Sequence, residues 1–299
     1  MVFRRTADVM LVVGRNASMA TPFGNGTRMS VEQELLRDLV RRPGVSFGYQ
    51  EFPWTDSFCS QGICCSGGMQ YFPGPNSAVI ETAIGRCPAN PTTSNSVTPS
   101  CVSSSEARPL AGELKRVRDL YAPFGPEPLT DRYVLLTIDG PPSCPYEDPR
   151  RMCESAMQEM TRLAGAMAAV KTFVVALGDD AAGDPCLEEL ALMGGAASER
   201  PDPLFVARNR DDLQRAFDNV FDEVASSVCE LNLAPGSFDP SRSSIAIYIR
   251  DEEIPRDRMR QNGWDFVDRS NLRIQLYGNA CESLKSTEPR DVFVWSCRG

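Results

Sequence analysis

The chain has 299 residues, 42% of them hydrophobic, and a formal net charge of −9. That length holds one α/β domain of about 200 residues with a small appendage, and no stretch nears the ~20 apolar residues of a membrane span. The acidic balance speaks against a nucleic-acid partner, which needs a basic face. The lack of any histidine excludes Ser-His-Asp and Cys-His catalysis, histidine-ligated zinc and imidazole switching.

Residues 8–13 form a short Val-rich apolar run that reads as a buried strand, ending abruptly in Gly14-Arg15-Asn16-Ala17-Ser18. A helix is expected over 30–42, with Ser30 as N-cap, Gln33 three residues on, and Pro43-Gly44 as the stop. Residues 45–52 alternate apolar and polar, as a second strand does. The segment 54–105 is irregular, with an edge strand expected within 67–73 and a helical turn or two over 77–84. A helix over 106–121 follows, then a buried strand from 133 ending in Asp139-Gly140. A helix over 151–168, a buried strand over 171–178 and a helix over 187–192 continue the series. A short strand at 203–206 and an amphipathic helix over 211–228 close it. Strands that are continuous apolar runs, alternating with helices, imply a mainly parallel sheet covered on both faces. Arg15, Arg41, Arg42, Arg150 and Arg151 read as solvated surface, and Asp179, Asp180 and Asp184 as a solvated acidic turn.

Residues 231–240 read as a linker. Beyond it only strands are expected, at 244–250, 264–267, 272–277 and 291–297, with Asp251-Glu252-Glu253 at a hairpin tip. The resulting organisation is an α/β domain over 6–230 with an insertion at about 54–105, a linker, and a small all-β domain over 241–299.

Eleven cysteines, without a C-x-x-C pair, favour a disulfide framework in an oxidising compartment over a zinc ribbon. Five of them lie within 59–101, which suggests an insertion stapled locally. If strands 272–277 and 291–297 pair antiparallel, Cys297 lies about 20 Å from Cys281 at ~3.3 Å per residue, so Cys229 is the better partner for Cys297. Cys144 and Cys153 are expected to close the loop after Asp139. Export implies a signal or lipid anchor that the first residues do not contain, so a secreted, periplasmic or outer-surface location is expected.

Several features in order resemble a von Willebrand factor A (VWA) domain. They are the strand and loop through Gly14, Asn16 and Ser18; Phe47-Gly48-Tyr49-Gln50-Glu51-Phe52-Pro53; Leu135-Leu136-Thr137-Ile138-Asp139-Gly140; and 172–178, 187–195 and 204–213. The insertion and the tail through Gly263-Trp264, Cys281 and Cys297 look like those of secreted cysteine-rich bacterial VWA proteins. The resemblance implies a Rossmann-like VWA domain with a metal-ion-dependent adhesion site (MIDAS) at the strand ends. Carried over by position, that site falls on Gly14, Asn16, Ser18, Arg108 and Asp139, so an Asp is replaced by Gly14 and a Thr by Arg108.

A Mg²⁺ or Ca²⁺ ion needs oxygen ligands, usually with more than one negative charge, and Asn16, Ser18 and Asp139 supply one. Either Arg108 takes the cation's place and pairs with Asp139, or Arg108 points to solvent and Asp139 caps the next turn. No cofactor is expected; a divalent cation held by Asn16, Ser18 and Asp139 is the third reading. The function implied is non-catalytic binding of a protein or other macromolecule in adhesion or assembly, at a degenerate site. The alternatives are a structural subunit of a bacterial envelope complex that uses the β domain, a metal-dependent adhesin, and a Rossmann-like enzyme.

Overall fold

A computed structural model describes residues 2–53, 70–85, 106–124, 130–144, 148–166, 169–196, 202–233, 243–267, 272–287 and 291–298. The five cysteines of 59–101 and the Pro/Ser/Thr/Asn tract at 88–100 lie outside them. The chain opens with β1 (Val2–Arg4), β2 (Thr6–Gly14), the two-residue strands β3 (Pro22–Phe23) and β4 (Gly26–Thr27), and α1 (Arg28–Val40). Then come β5 (Ser46–Phe52), β6 (Gln70–Gly74), α2 (Ser77–Ile84), α3 (Leu110–Tyr121), β7 (Thr130–Ile138) and α4 (Pro149–Ala164). The first unit is completed by β8 (Lys171–Leu177), α5 (Pro185–Met193), β9 (Phe205–Ala207) and α6 (Arg210–Ser227).

These strands build a six-stranded sheet in the order β6-β5-β2-β7-β8-β9. All neighbours run parallel except the edge pair β5–β6. Alternation along each strand explains the two-sided burial. In β2, Val9, Leu11 and Val13 enter one core with Leu35, Leu36 and Leu39 of α1 and Phe217 of α6. Met10 and Val12 enter the other, with Leu114 of α3, Met160 of α4 and Leu187 of α5. Each such apolar side chain, once buried, contributes roughly 1.5–3 kcal/mol.

Helix starts differ from the sequence expectation for local reasons. α1 is capped by Thr27, and Ser30 sits at the third position, closing a capping box with it. α3 begins only at Leu110, because a residue preceding proline is kept out of the helical region; Arg108, before Pro109, therefore stays in a loop. Asp184 caps α5, accepting from the amides of Cys186 and Leu187.

The remainder is β10 (Glu230–Leu233), β11 (Ser243–Ile249), β12 (Glu252–Ile254), β13 (Gly263–Phe266), β14 (Arg273–Tyr277), α7 (Asn279–Lys285) and β15 (Val292–Arg298). It forms two antiparallel sheets, β1-β10-β14-β13 and β12-β11-β15. Three expectations change here. Residues 231–233, expected in a linker, are a strand paired with both β1 and β14. The tail also holds a helix, α7, whose Ala280 and Leu284 join the small core with Ile247, Trp264 and Ile274. Finally, β14 and β15 belong to different sheets, so the pairing that pointed Cys297 toward Cys229 does not exist. Cys229 is bonded to Cys281, and Cys153 to Cys186 rather than to Cys144. Cys144 is itself disulfide-bonded.

Candidate site at the strand ends

The carboxyl ends of β2 and β7 lie side by side at the centre of the sheet, which is where an α/β fold presents its site. Gly14 ends β2 and Asp139 follows β7 directly. The structure brings Asn16, Ser18, Arg108 and Asp139 together within hydrogen-bonding distance, with Gly14 behind Asn16. Asn16 is fully buried and Asp139 is 1% exposed. Asn16 Nδ2 donates to both Asp139 oxygens, at 2.9 and 3.2 Å, and the Ser18 hydroxyl donates to Oδ2. Arg108 is turned inward: its Nε donates to Asp139 Oδ1 at 2.9 Å and its Nη2 to Ser18 Oγ at 2.8 Å. Glu106, largely exposed, closes the rim with Oε2 at 2.9 Å from Ser18 Oγ.

A second guanidinium approaches Asp139 from α1, at a position that no strand-end motif marks in the sequence. Arg28, 5% exposed, lies 3.5 Å from Asp139 Oδ2 and pairs more closely with Asp180. Burial alone would raise the Asp180 carboxyl. The hydrogen bond from Arg28, aided by its charge and that of Arg108, instead holds it below the usual carboxylate range. The acidic turn is therefore not merely solvated, and Asp179 pairs with Arg208 at 2.9 Å. Two glycines make room for the two arginines. A Cβ at Gly140 would stand 3.1 Å from Arg108 Cζ, and one at Gly178 (φ +95°) 2.1 Å from Arg28 Nη2.

Behind the loop lies a second buried cluster. Arg15 is not solvated surface: it is fully buried, donating to Glu32 at 2.8 Å and to the Tyr49 hydroxyl at 2.9 Å, with Glu51 at 3.5 Å. Burial acts to lower the Arg15 pKa, but Tyr49, Glu32 and Glu51 outweigh it and the guanidinium stays charged. Burial raises the Glu32 carboxyl to about 7, against the opposing pull of Arg15. Burial also pushes the Tyr49 phenol well above its ordinary value. One signal pointed to this cluster: Glu32 falls on the apolar face of α1 among Met29, Leu35 and Leu36, where a charge requires a partner.

This donor set does not fit a divalent cation. Asp139 is the one carboxylate at its centre, and Asn16 and Ser18 turn N–H and O–H donors toward it. Two guanidiniums supply the positive charge a metal would bring. One buried acceptor, Oδ1 of Asn16, has no hydrogen bond, and a single neutral oxygen is no coordination sphere. Among the described residues no group of three or more Cys, Asp or Glu is arranged to hold an ion.

Neither a protein-family model nor a curated protein sequence matches the chain. Among solved structures, the pilus adhesin SpaC from Lactobacillus rhamnosus GG is similar with a TM-score of 0.53 at 10% identity. That match covers 98% of this chain and 39% of that one. The α/β unit has the VWA fold. Lower-scoring similarities include the vWF domain of the type V pili tip protein Mfa5 from Porphyromonas gingivalis (TM-score 0.48, 10% identity, 79% of this chain and 99% of that one). Proximal thread matrix protein 1 from the mussel byssus scores 0.47 at 16% identity, over 76% of this chain and 49% of that one. The chain thus spans under half the length of SpaC and of the byssus protein. The VWA loops here hold arginine, asparagine and serine around one aspartate.

Proposed function

We propose that this chain is a non-catalytic VWA protein that binds another macromolecule, in adhesion or assembly outside the cytoplasm, and does so without a metal. The observation that carries the reading is the state of Asp139. Its carboxylate is buried and engaged by Asn16, Ser18, Arg108 and Arg28, so it is neither a free base nor an open ligand. A fork of N–H donors replaces a cation as a clamp on the loops without offering a vacant coordination position. Arg108 and Glu106 form the outer layer of the same site and are the groups a partner meets. SpaC, similar in fold, is a pilus adhesin, and the same kind of work is assigned to this loop face. Disulfides at Cys153–Cys186 and Cys229–Cys281 support an oxidising location.

The test has two arms. Calorimetry with Mg²⁺, Mn²⁺ and Ca²⁺ is expected to show no micromolar binding; such binding, lost in Asp139→Ala, would sink the metal-free reading. Co-purification from intact cells should recover a partner that Arg108→Gln loses while circular dichroism is unchanged. Retention of that partner by Arg108→Gln moves the contact to the second reading, a structural subunit that binds through its β unit. That reading is favoured by the exposed Phe293 and Trp295.

A further inference from the structure

The outer face of the sheet β12-β11-β15 carries an unusual group of side chains. Ala246 pairs with Trp295 and Tyr248 with Phe293 across the two longer strands. Because side chains alternate, all four project to one face, while Ile247 and Ile249 enter the small core. Trp295 is 63% exposed and Phe293 45% exposed. The small Ala246 beside the large Trp295 leaves a hollow of about 570 Å³ lined by Ala246, Tyr248, Asp251, Phe293 and Trp295. Asp251 stands in the hairpin turn at φ +66°, after Arg250 at φ +51°. Among the described residues its exposed carboxylate has no hydrogen bond or ion pair. Glu253, opposite Tyr248 in the register, adds a second negative charge to the same face.

We infer that this hollow is a binding site for a guanidinium or ammonium side chain of a partner protein, cupped by Trp295 and Phe293 and paired with Asp251. The aromatic faces attract a cation through their quadrupoles, and the unpartnered carboxylate supplies the opposite charge. The same β unit already holds a filled example of this chemistry. The Arg256 guanidinium lies 5.4 Å from the Trp264 ring centre and 4.9 Å from that of Phe266. It also donates to Asp265 Oδ1 at 2.9 and 3.0 Å. Tryptophan, phenylalanine and aspartate are thus satisfied by an arginine at one place, and the same three residue types recur at the hollow, where no arginine stands among the described lining residues. Charge complementarity selects the occupant. Glu253 already accepts from the Tyr248 hydroxyl at 3.3 Å, so an acidic or purely apolar segment would leave Asp251 facing it unpaired, whereas an extended basic segment would lay its aliphatic stems on the rings and its charge on the carboxylate. The site lies on elements other than those around Asp139, and the inference stands apart from the function proposed there.

The experiment is an NMR titration of the full chain with acetyl-Arg-Gly-Arg-amide and with the same peptide carrying citrulline in place of arginine, following the tryptophan indole N–H resonances. The arginine peptide is expected to shift the Trp295 resonance saturably and to leave that of the buried Trp264 in place. The citrulline peptide is expected to bind at least roughly fivefold more weakly, and Asp251→Asn to weaken the arginine peptide by a similar factor. Trp295→Ala, followed through the backbone amide resonances of Tyr248 and Asp251, should remove binding, with the Trp264 indole resonance at its wild-type position reporting an intact fold. Equal binding of both peptides, no shift at Trp295, or indifference to Asp251→Asn would overturn the inference. So would a Trp295-dependent dimer in sedimentation, since the face would then cover a second copy of the chain.

Discussion

At the scale of single residues, position along the strands is the informative quantity. Asn16, Ser18 and Asp139 were found because they follow apolar runs, where the chain leaves the sheet and side chains can converge. Arg28, Arg15 and Glu32 were not, because what makes them important is far away in sequence. Arg28 depends on Asp180 and on the missing side chain at Gly178, and Arg15 on Glu32, Tyr49 and Glu51. A polar residue in a loop reads as solvated until its partners are known. Glu32 also yields a prediction. Its folded pKa of about 7 lies above its ordinary 4.5 because of burial, opposed by Arg15, so the native state holds this proton more tightly than the unfolded chain does. The associated stability is present in full below pH ~4.5 and is lost as pH rises through 7. Urea unfolding should therefore show stability falling between pH 5 and 8 by on the order of 3 kcal/mol, in a chain with no histidine to titrate in that window. Glu32→Gln should flatten the dependence, and a wild-type stability that rises across the window would contradict it.

Elements were legible where one rule governed them. Strands β2, β7 and β8 are continuous apolar runs buried on both faces, and no local competitor exists for that pattern. Helix α7 escaped because its seven residues, Asn279–Lys285, are too few to show a period; its formation depends on packing Ala280 and Leu284 into the small core. Disulfide partners escaped for a related reason. Cys153 on α4 and Cys186 on α5 meet because the two helices pack on the same side of the sheet, a fact that sequence spacing does not contain. This bond closes a loop over a sequence separation of 33 residues. Removing it as Cys153→Ser with Cys186→Ser should lower stability by about 3–4 kcal/mol in the chain-entropy picture. The measurement is the urea midpoint at constant slope, and a loss under ~1 kcal/mol would mean that packing already holds α4 against α5.

For the whole molecule, the boundary between the two units is not a free linker, at least on the VWA side. Helix α6 runs within two residues into β10, and β1 pairs with β10 before the chain enters β2. Arg5, between β1 and β2, donates to Asp131 of β7 at 2.5 and 3.2 Å and to Glu230 of β10 at 3.3 Å. Glu230 in turn accepts from Arg273 of β14 at 2.6 and 3.0 Å. Burial would raise the Glu230 carboxyl, but Arg273 and Arg5 hold it below the usual range. Its contribution is therefore present at neutral pH and is lost as pH falls through the depressed value. A core as small as that around Ile247, Trp264 and Ile274 is marginal alone, and Cys229–Cys281 ties it at the end of α6. The two units should then unfold together. Urea curves read by tryptophan fluorescence in a Trp54→Phe background, which leaves Trp264 and Trp295 of the β unit as the reporters, should coincide at pH 7 with curves read by far-ultraviolet circular dichroism, dominated by the VWA helices. Cys229→Ser with Cys281→Ser, combined with Glu230→Gln, should separate them, the fluorescence change coming first. Non-coincident curves in the unaltered chain would show instead that the β unit melts on its own and that the Arg5–Glu230 contact does not couple it.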